Sequence, residues 1–196
     1  EYFLKRMASA SPEAANDPSA AIAVESLLEA RYDRVLSNLV TADPKLLSTS
    51  FLKGLALFAT GELEPAAAQF RAALDAAPDF LPAAFYLGAC YAAGGNDRNA
   101  VGAWQTALIT ESDARIVYDV LGDALLRLQD GDEAASILSE ARGKWEDDDR
   151  FVPRLAASEA LRRNPKEAVS LLDGYLASHG DDSNALMLAL RLLVPE

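Results

Sequence analysis

The sequence predicts an all-α fold of stacked helix-turn-helix units, and three observations predict it. Residues recur at a spacing of 34 in five columns: Gly54, Gly88 and Gly122; Ala66, Ala100, Ala134 and Ala168; Ala73, Ala107 and Ala141; Leu87, Leu121 and Leu155; and the bulky Phe70, Trp104, Leu138 and Leu172. A fixed period of that length is the mark of a repeat array, in which no single unit can bury its apolar face alone. Within each period the apolar residues follow helical spacing, i, i+4 and i+7. The composition agrees: 51% of residues are hydrophobic, only 8% are aromatic, and alanine is abundant. Closely packed helices suit that mixture better than a sheet rich in β-branched residues.

The unit 81–114 shows each element most clearly. Leu87 and Tyr91 lie one turn apart on one helical face. Gly94-Gly95-Asn96-Asp97 breaks the helix. Ala100, Trp104 and Ala107 then form the apolar stripe of a second helix. Gly88 inside the first helix costs roughly 0.5–1 kcal/mol against alanine. Its recurrence predicts that the partner helix passes too close for a side chain, with the Ala100 column as the expected matching surface. Helices of about 12–15 residues are marginal alone, so stacking must supply most of the stability.

On this reading residues 1–15 form an N-terminal segment. Repeats follow at 16–46, 47–80, 81–114, 115–148 and 149–182, and 183–196 is a C-terminal helix. Asp181, Asp182 and Ser183 start that helix, with Ser183 as the expected cap. Its apolar run is continuous on several faces. The stripe Leu186, Ala189, Leu190 and Leu193 is expected to pack inward. Met187, Leu188, Leu192 and Val194 are then left as a candidate self-association face and a route to a homo-oligomer.

The motif resembles the tetratricopeptide repeat (TPR) family. Gly54, Leu57, Ala66, Phe70, Ala73 and Pro78 fit it in one repeat, and Leu87, Gly88, Tyr91, Ala100, Trp104 and Ala107 in the next. Tyr118, Leu121, Gly122, Leu125, Ala134 and Ala141 fit in the third, and Leu155, Ala156, Ala168 and Leu172 in the fourth, where Glu159 replaces the expected Tyr or Leu. The resemblance implies a right-handed solenoid of about four to five repeats with a C-terminal capping helix. The stretch from Tyr86 to Ile109 is also similar to repeat tails that follow von Willebrand A-like domains in some bacterial proteins.

The resemblance further implies that the first helices line a concave groove. The matching positions are Phe51, Leu55, Phe58, Phe85, Ala89, Asp119, Asp123, Arg127, Arg150 and Arg154. The groove is expected to be apolar and aromatic first, then acidic, then basic. Such a groove grips a protein or peptide ligand through its phenylalanines, while its charges fix orientation. Two other readings stand beside it: residues 1–15 fold back over the phenylalanines, or these rings are inter-helix core. The Lys and Asn with which some members clamp a C-terminal carboxylate are absent at the matching positions.

Other function classes are disfavoured. The net charge is -12, from 18 Lys and Arg against 30 Asp and Glu, which repels nucleic acid and anionic membrane surfaces. No stretch approaches the roughly 18 apolar residues of a membrane span, so no membrane insertion is expected. The sole cysteine, Cys90, allows no intrachain disulfide and reads as a buried small hydrophobe. The sole histidine, His179, reads as a loop residue, and Glu146-Asp147-Asp148-Asp149 as a solvated helix start and not a calcium loop. No catalytic residue, metal site or cofactor is expected. The chain begins with Glu1, which suggests a module of a longer protein, either cytoplasmic or periplasmic. Its expected role is a non-catalytic interaction scaffold; the alternative is a structural or self-assembly module with no groove ligand.

Overall fold

The computed structural model describes residues 18–193, all-helical with no strand among them. The expected fold-back of residues 1–15, and Val194, lie outside the described residues. The chain divides into two compact units at Ser112 and Asp113. Unit 1 holds α1 (Pro18–Leu28), α2 (Tyr32–Asn38), α3 (Leu47–Ala59), α4 (Leu63–Ala76), α5 (Leu81–Ala93) and α6 (Asp97–Thr110). Unit 2 holds α7 (Arg115–Arg127), α8 (Gly131–Lys144), a 3-10 turn (Asp149–Phe151), α9 (Val152–Leu161), α10 (Pro165–Leu176) and α11 (Ser183–Leu193). Within each unit consecutive helices pack in pairs, and alternate first helices also touch: α3 with α5, α7 with α9, and α9 with α11.

The glycine column closes the hairpins. A Cβ on Gly54 would fall 2.7 Å from the Phe70 ring, and one on Gly122 would fall 2.7 Å from Leu138 Cδ2. At Gly88 it would land inside the Trp104 indole. The surface that meets each glycine is therefore the bulky column and not the alanine column. A large side chain on the second helix lies flat on bare backbone of the first. Ala66, Ala100, Ala134 and Ala168 are fully buried elsewhere in the same hairpins.

The turns repeat as well. Gly61, Gly95, Gln129 and Arg163 have positive φ of 84°, 77°, 58° and 59°. These four positions keep the 34-residue spacing. After each, the next N–H reaches back to a carbonyl five residues earlier: Glu62 to Leu57, Asn96 to Tyr91, Asp130 to Leu125 and Asn164 to Glu159. This left-handed termination satisfies the last carbonyls of the first helix and aims the chain into the second.

Two expectations about α11 are corrected. Its cap is Asp182, whose Oδ1 accepts from the N–H groups of Asn184 and Ala185. The stripe that packs is Ala185, Leu188, Ala189 and Leu192, which join Ala156, Ala168 and Leu172 in one core cluster. Leu188 and Leu192, left for self-association in the sequence reading, are instead partly buried against this cluster. Both stripes obey i, i+3, i+4, i+7 spacing. The one with two alanines wins because it lets the helix approach its neighbour closely. Leu186, Met187, Leu190 and Leu193 are exposed.

Candidate binding groove

In unit 1 the groove positions are largely filled by one another. Phe51, placed in the groove by the sequence, is fully buried. It meets Phe80 edge-on at 5.0 Å between ring centres, Phe70 at 5.9 Å and Tyr86 at 6.1 Å. Tyr86, one residue beyond Phe85, is the hub. It stacks on Phe70 at 5.4 Å and takes the edges of Phe58 at 5.6 Å and Phe85 at 5.4 Å. Burial pushes its phenol above the ordinary tyrosine range. Phe51 is therefore core, because rings from α4 and α5 and the Phe80 entry to α5 converge on it. Phe85 is also buried, whereas Leu55 and Phe58 stay half-buried at the edge of the cluster and Ala89 is half-buried. Tyr86 carried no groove assignment in the sequence, since it is one residue out of register.

In unit 2 the charged positions are brought together. Arg154 on α9 donates from Nε to Asp123 Oδ1 and from Nη2 to Asp123 Oδ2 at 3.3 Å, both across to α7. Arg150 Nη1 meets Asp119 Oδ2 at 3.3 Å. Arg150 Nε also donates to Asp148 Oδ1 at 2.9 Å, and Arg115 Nη1 lies 3.0 Å from Asp148 Oδ2. The hydrogen bonds it donates to Asp123, then the charges of Asp123 and Asp119, hold the Arg154 guanidinium more firmly protonated than usual, against the opposing effect of burial. The acidic positions of α7 and the basic positions of the 3-10 turn and α9, read from the sequence, thus neutralise each other. Arg127 lies exposed at the C-terminal end of α7.

Beside this ladder lies an open cleft of about 480 Å³ between α7, α9 and α11. Its apolar walls are Leu126, Pro153, Ala157 and Leu188, with Arg154 and Asn184 at its polar rim. Leu126 and Ala157 lie on first helices, α7 and α9, while the contribution of α11 was not readable because its packed stripe was ambiguous in sequence. Arg150 and Arg154 sit at the same cleft, held by the carboxylates of α7.

The remaining reactive side chains are occupied structurally. Cys90 is buried and its thiol is pushed up to about 11 by that burial. His179 stacks on Tyr175 at 4.3 Å. Asp148 accepts the Arg150 N–H at 3.2 Å, so the acidic run starts a helical turn. Glu159 is buried, but its two oxygens accept from Arg162 at 2.7 Å and Asn164 at 3.0 Å, which explains how it replaces an apolar residue. Among the described residues no group of three or more His, Cys, Asp and Glu is placed to hold a metal ion. No helix among them is long and apolar enough to cross a membrane.

No family profile and no curated protein matches the sequence. Solved structures do. YrrB, described as a TPR protein with an unusual peptide-binding site, superposes with a TM-score of 0.73 at 19% identity, covering 95% of this chain and 97% of that one. MamA of AMB-1 superposes with a TM-score of 0.70 at 20% identity, covering 84% of this chain and 99% of that one. A thermophilic TPR protein of Thermus thermophilus gives a TM-score of 0.53 at 17% identity, covering 89% of this chain and 97% of that one. Such identities speak for the backbone arrangement. With the paired helices, the small-on-large hairpin contacts and the recurring left-handed turns, they establish that this chain has the tetratricopeptide-repeat fold.

Proposed function

We propose that the chain is a non-catalytic scaffold that holds a partner polypeptide in the cleft between α7, α9 and α11. The observation that carries this is the cleft itself: Leu126, Ala157 and Leu188 offer apolar surface that the unit 2 core leaves open. Arg154 is already paired with Asp123, so affinity would come chiefly from apolar burial, with the charges excluding mismatched partners. The opening suits an extended segment with small apolar side chains. YrrB, which shares this fold, is described as having a peptide-binding site, and that adds support.

The test is a random peptide library selected on the purified chain. Selected peptides are expected to lose at least tenfold in affinity for Ala157→Glu and to keep their affinity for Ile109→Glu, on an exposed side chain of α6 in the other unit. Equal binding by the wild type and Ala157→Glu overturns the groove reading. The filled ring cluster around Tyr86 favours a second reading, a structural module with no ligand in unit 1. Peptides that respond to Phe58→Glu would overturn that one.

A further inference from the structure

At the end of α9, Arg162 reaches back over the start of α8. Its Nε donates to Asp132 Oδ1 at 2.8 Å and its Nη1 to Glu159 Oε1 at 2.7 Å. A Cβ on Gly131 would fall 3.1 Å from its Cγ. The arginine thus fills the crevice between a second helix, α8, and the first helix that follows. Two periods earlier, Gly94 stands in the place of Arg162, Glu64 in that of Asp132, Leu63 in that of Gly131 and Tyr91 in that of Glu159. The backbone is alike, with φ -81° and ψ 4° at Gly94 and φ -72° and ψ 1° at Arg162. Side chains at these two positions would therefore leave it in the same direction. In unit 1 the arginine is missing and its seat is open. A cavity of about 230 Å³ lies between α4 and α5, with Leu63, Glu64, Arg71, Tyr91 and Gly94 among its walls. Among the described residues, the side chains of Glu64 and Arg71 have no ion pair or hydrogen bond. Arg71 stands two turns along α4 from Glu64, about 10 Å by helical rise, too far to pair with it.

We propose that this crevice binds one arginine side chain of a partner polypeptide, with an Asp or Glu beside it in the partner's sequence set against Arg71. The arginine takes the seat that Arg162 fills in unit 2. Its guanidinium pairs with Glu64, the carboxylate in the place of Asp132. Its stem runs along Leu63, since an arginine buries its methylenes on apolar surface while its head stays at the rim. The half-buried Tyr91 offers a flat ring, which suits a planar guanidinium better than an ammonium. The cavity admits one long side chain and no folded element. Arg71 repels a second cation, so a run of basic residues is rejected and an acidic neighbour preferred. The crevice lies inside the array, with described helices before α4 and after α5. It is apart from the ring cluster around Tyr86, and independent of the α7–α9–α11 cleft of unit 2.

The probe is the end-blocked peptide Gly-Gly-Arg-Asp-Gly-Gly, titrated at low salt into the isotope-labelled full chain and followed by amide chemical shifts. Saturable shifts are expected at Leu63, Tyr91 and Gly94. Citrulline, which is uncharged, in place of the peptide's arginine is expected to weaken binding about fivefold, the upper scale of an exposed ion pair, and Glu64→Gln to do the same. Arg71→Gln is expected to weaken it about twofold, and no further for a peptide whose Asp is replaced by Asn. Gly94→Arg supplies the guest from within the chain and is expected to abolish binding. A Cβ at that position meets nothing closer than 3.4 Å, so the variant is expected to keep its helical spectrum and melting midpoint. Ala157→Glu is expected to leave binding intact, so failure of the groove and failure of this crevice are distinguishable. No saturable binding, equal affinity for the citrulline peptide, or undiminished binding by a folded Gly94→Arg chain would each overturn the proposal.

Discussion

Trp104 lies where a side chain on Gly88 would have to be. Its indole covers the bare backbone of α5, and its Nε1–H donates to the Phe85 carbonyl at 3.0 Å. A buried indole needs a hydrogen-bond partner, and the missing side chain at position 88 lets it reach one. Phe70 over Gly54 and Leu138 over Gly122 repeat the fit without the hydrogen bond. The glycines cost helix propensity locally and return it as interhelical contact.

The turn at Gln129 holds a left-handed conformation, φ 58°, that glycine supplies at the equivalent Gly61 and Gly95. Non-glycine residues adopt it at a cost of about 1 kcal/mol. Gln129→Gly is therefore expected to stabilise the chain by roughly 0.5–1 kcal/mol, and Gly95→Ala to destabilise it by a similar amount. Urea denaturation checks both; a loss of stability in Gln129→Gly would contradict the turn assignment.

Two other helical glycines are expected to respond with opposite sign. A Cβ on Gly102, inside α6, meets nothing within 4 Å, so Gly102→Ala should gain about 0.5–1 kcal/mol of helix propensity. A Cβ on Gly131 would fall 2.8 Å from Leu161 Cβ and 3.0 Å from the Ser158 carbonyl oxygen. Gly131→Ala should therefore cost about 1–3 kcal/mol through overpacking of α8 against α9. Thermal melts of the two variants should move in opposite directions.

These positions also show what was legible. The glycine, alanine and bulky columns fixed the period and the helix pairs, because close approach leaves a small residue as its trace. The turn column stayed hidden past Gly95, since Gln129 and Arg163 adopt the left-handed conformation without the residue that advertises it. Phe51 stayed undecided between groove and core because an aromatic at a first-helix position does not say whether a neighbour will fill the space in front of it; Phe80 and Tyr86 do. The inward stripe of α11 was undetermined because leucine or alanine occupies both candidate faces. The carboxylate–guanidinium ladder was visible as opposite charges about one period apart, Asp119 with Arg150 and Asp123 with Arg154, but its pairing needed the contact of α7 with α9.

Carboxyls in unit 2 should make stability depend on acid. Burial pushes Asp148 up, but the N–H and guanidinium of Arg150, with the charge of Arg115, leave it below the ordinary carboxylate range. The hydrogen bond from Tyr118, at 2.6 Å, does the same for Glu140. A lowered carboxyl binds its proton less well folded than unfolded, so its contribution is complete above the unfolded value of about 4 and is lost as pH falls through the folded value. Asp148→Asn is expected to lower the thermal midpoint near pH 7 and to converge with the wild type as pH falls below the ordinary carboxylate range. A gap that stays constant across that range would contradict the ion-pair assignment.

Cys90 should be nearly inert in the folded chain. With its thiol pushed up to about 11 by burial, the thiolate is scarce at neutral pH. Alkylation by iodoacetamide near pH 8 is expected to run on the order of 100-fold slower than for a free thiol, and to become fast in denaturant. Rapid modification of the native chain would show that α5 does not bury this side.

The hairpin-closing contact underlies the register, and with it both the groove positions and the equivalence of Gly94 with Arg162. Its most direct test is a double-mutant cycle at Gly88 and Trp104, measured by urea denaturation. Gly88→Ala alone is expected to cost about 1–3 kcal/mol, and in a Trp104→Ala background to become neutral or favourable by up to about 1 kcal/mol, because the colliding indole is gone and helix propensity remains. The same cost in both backgrounds, or a stabilising Gly88→Ala in the wild type, would contradict it.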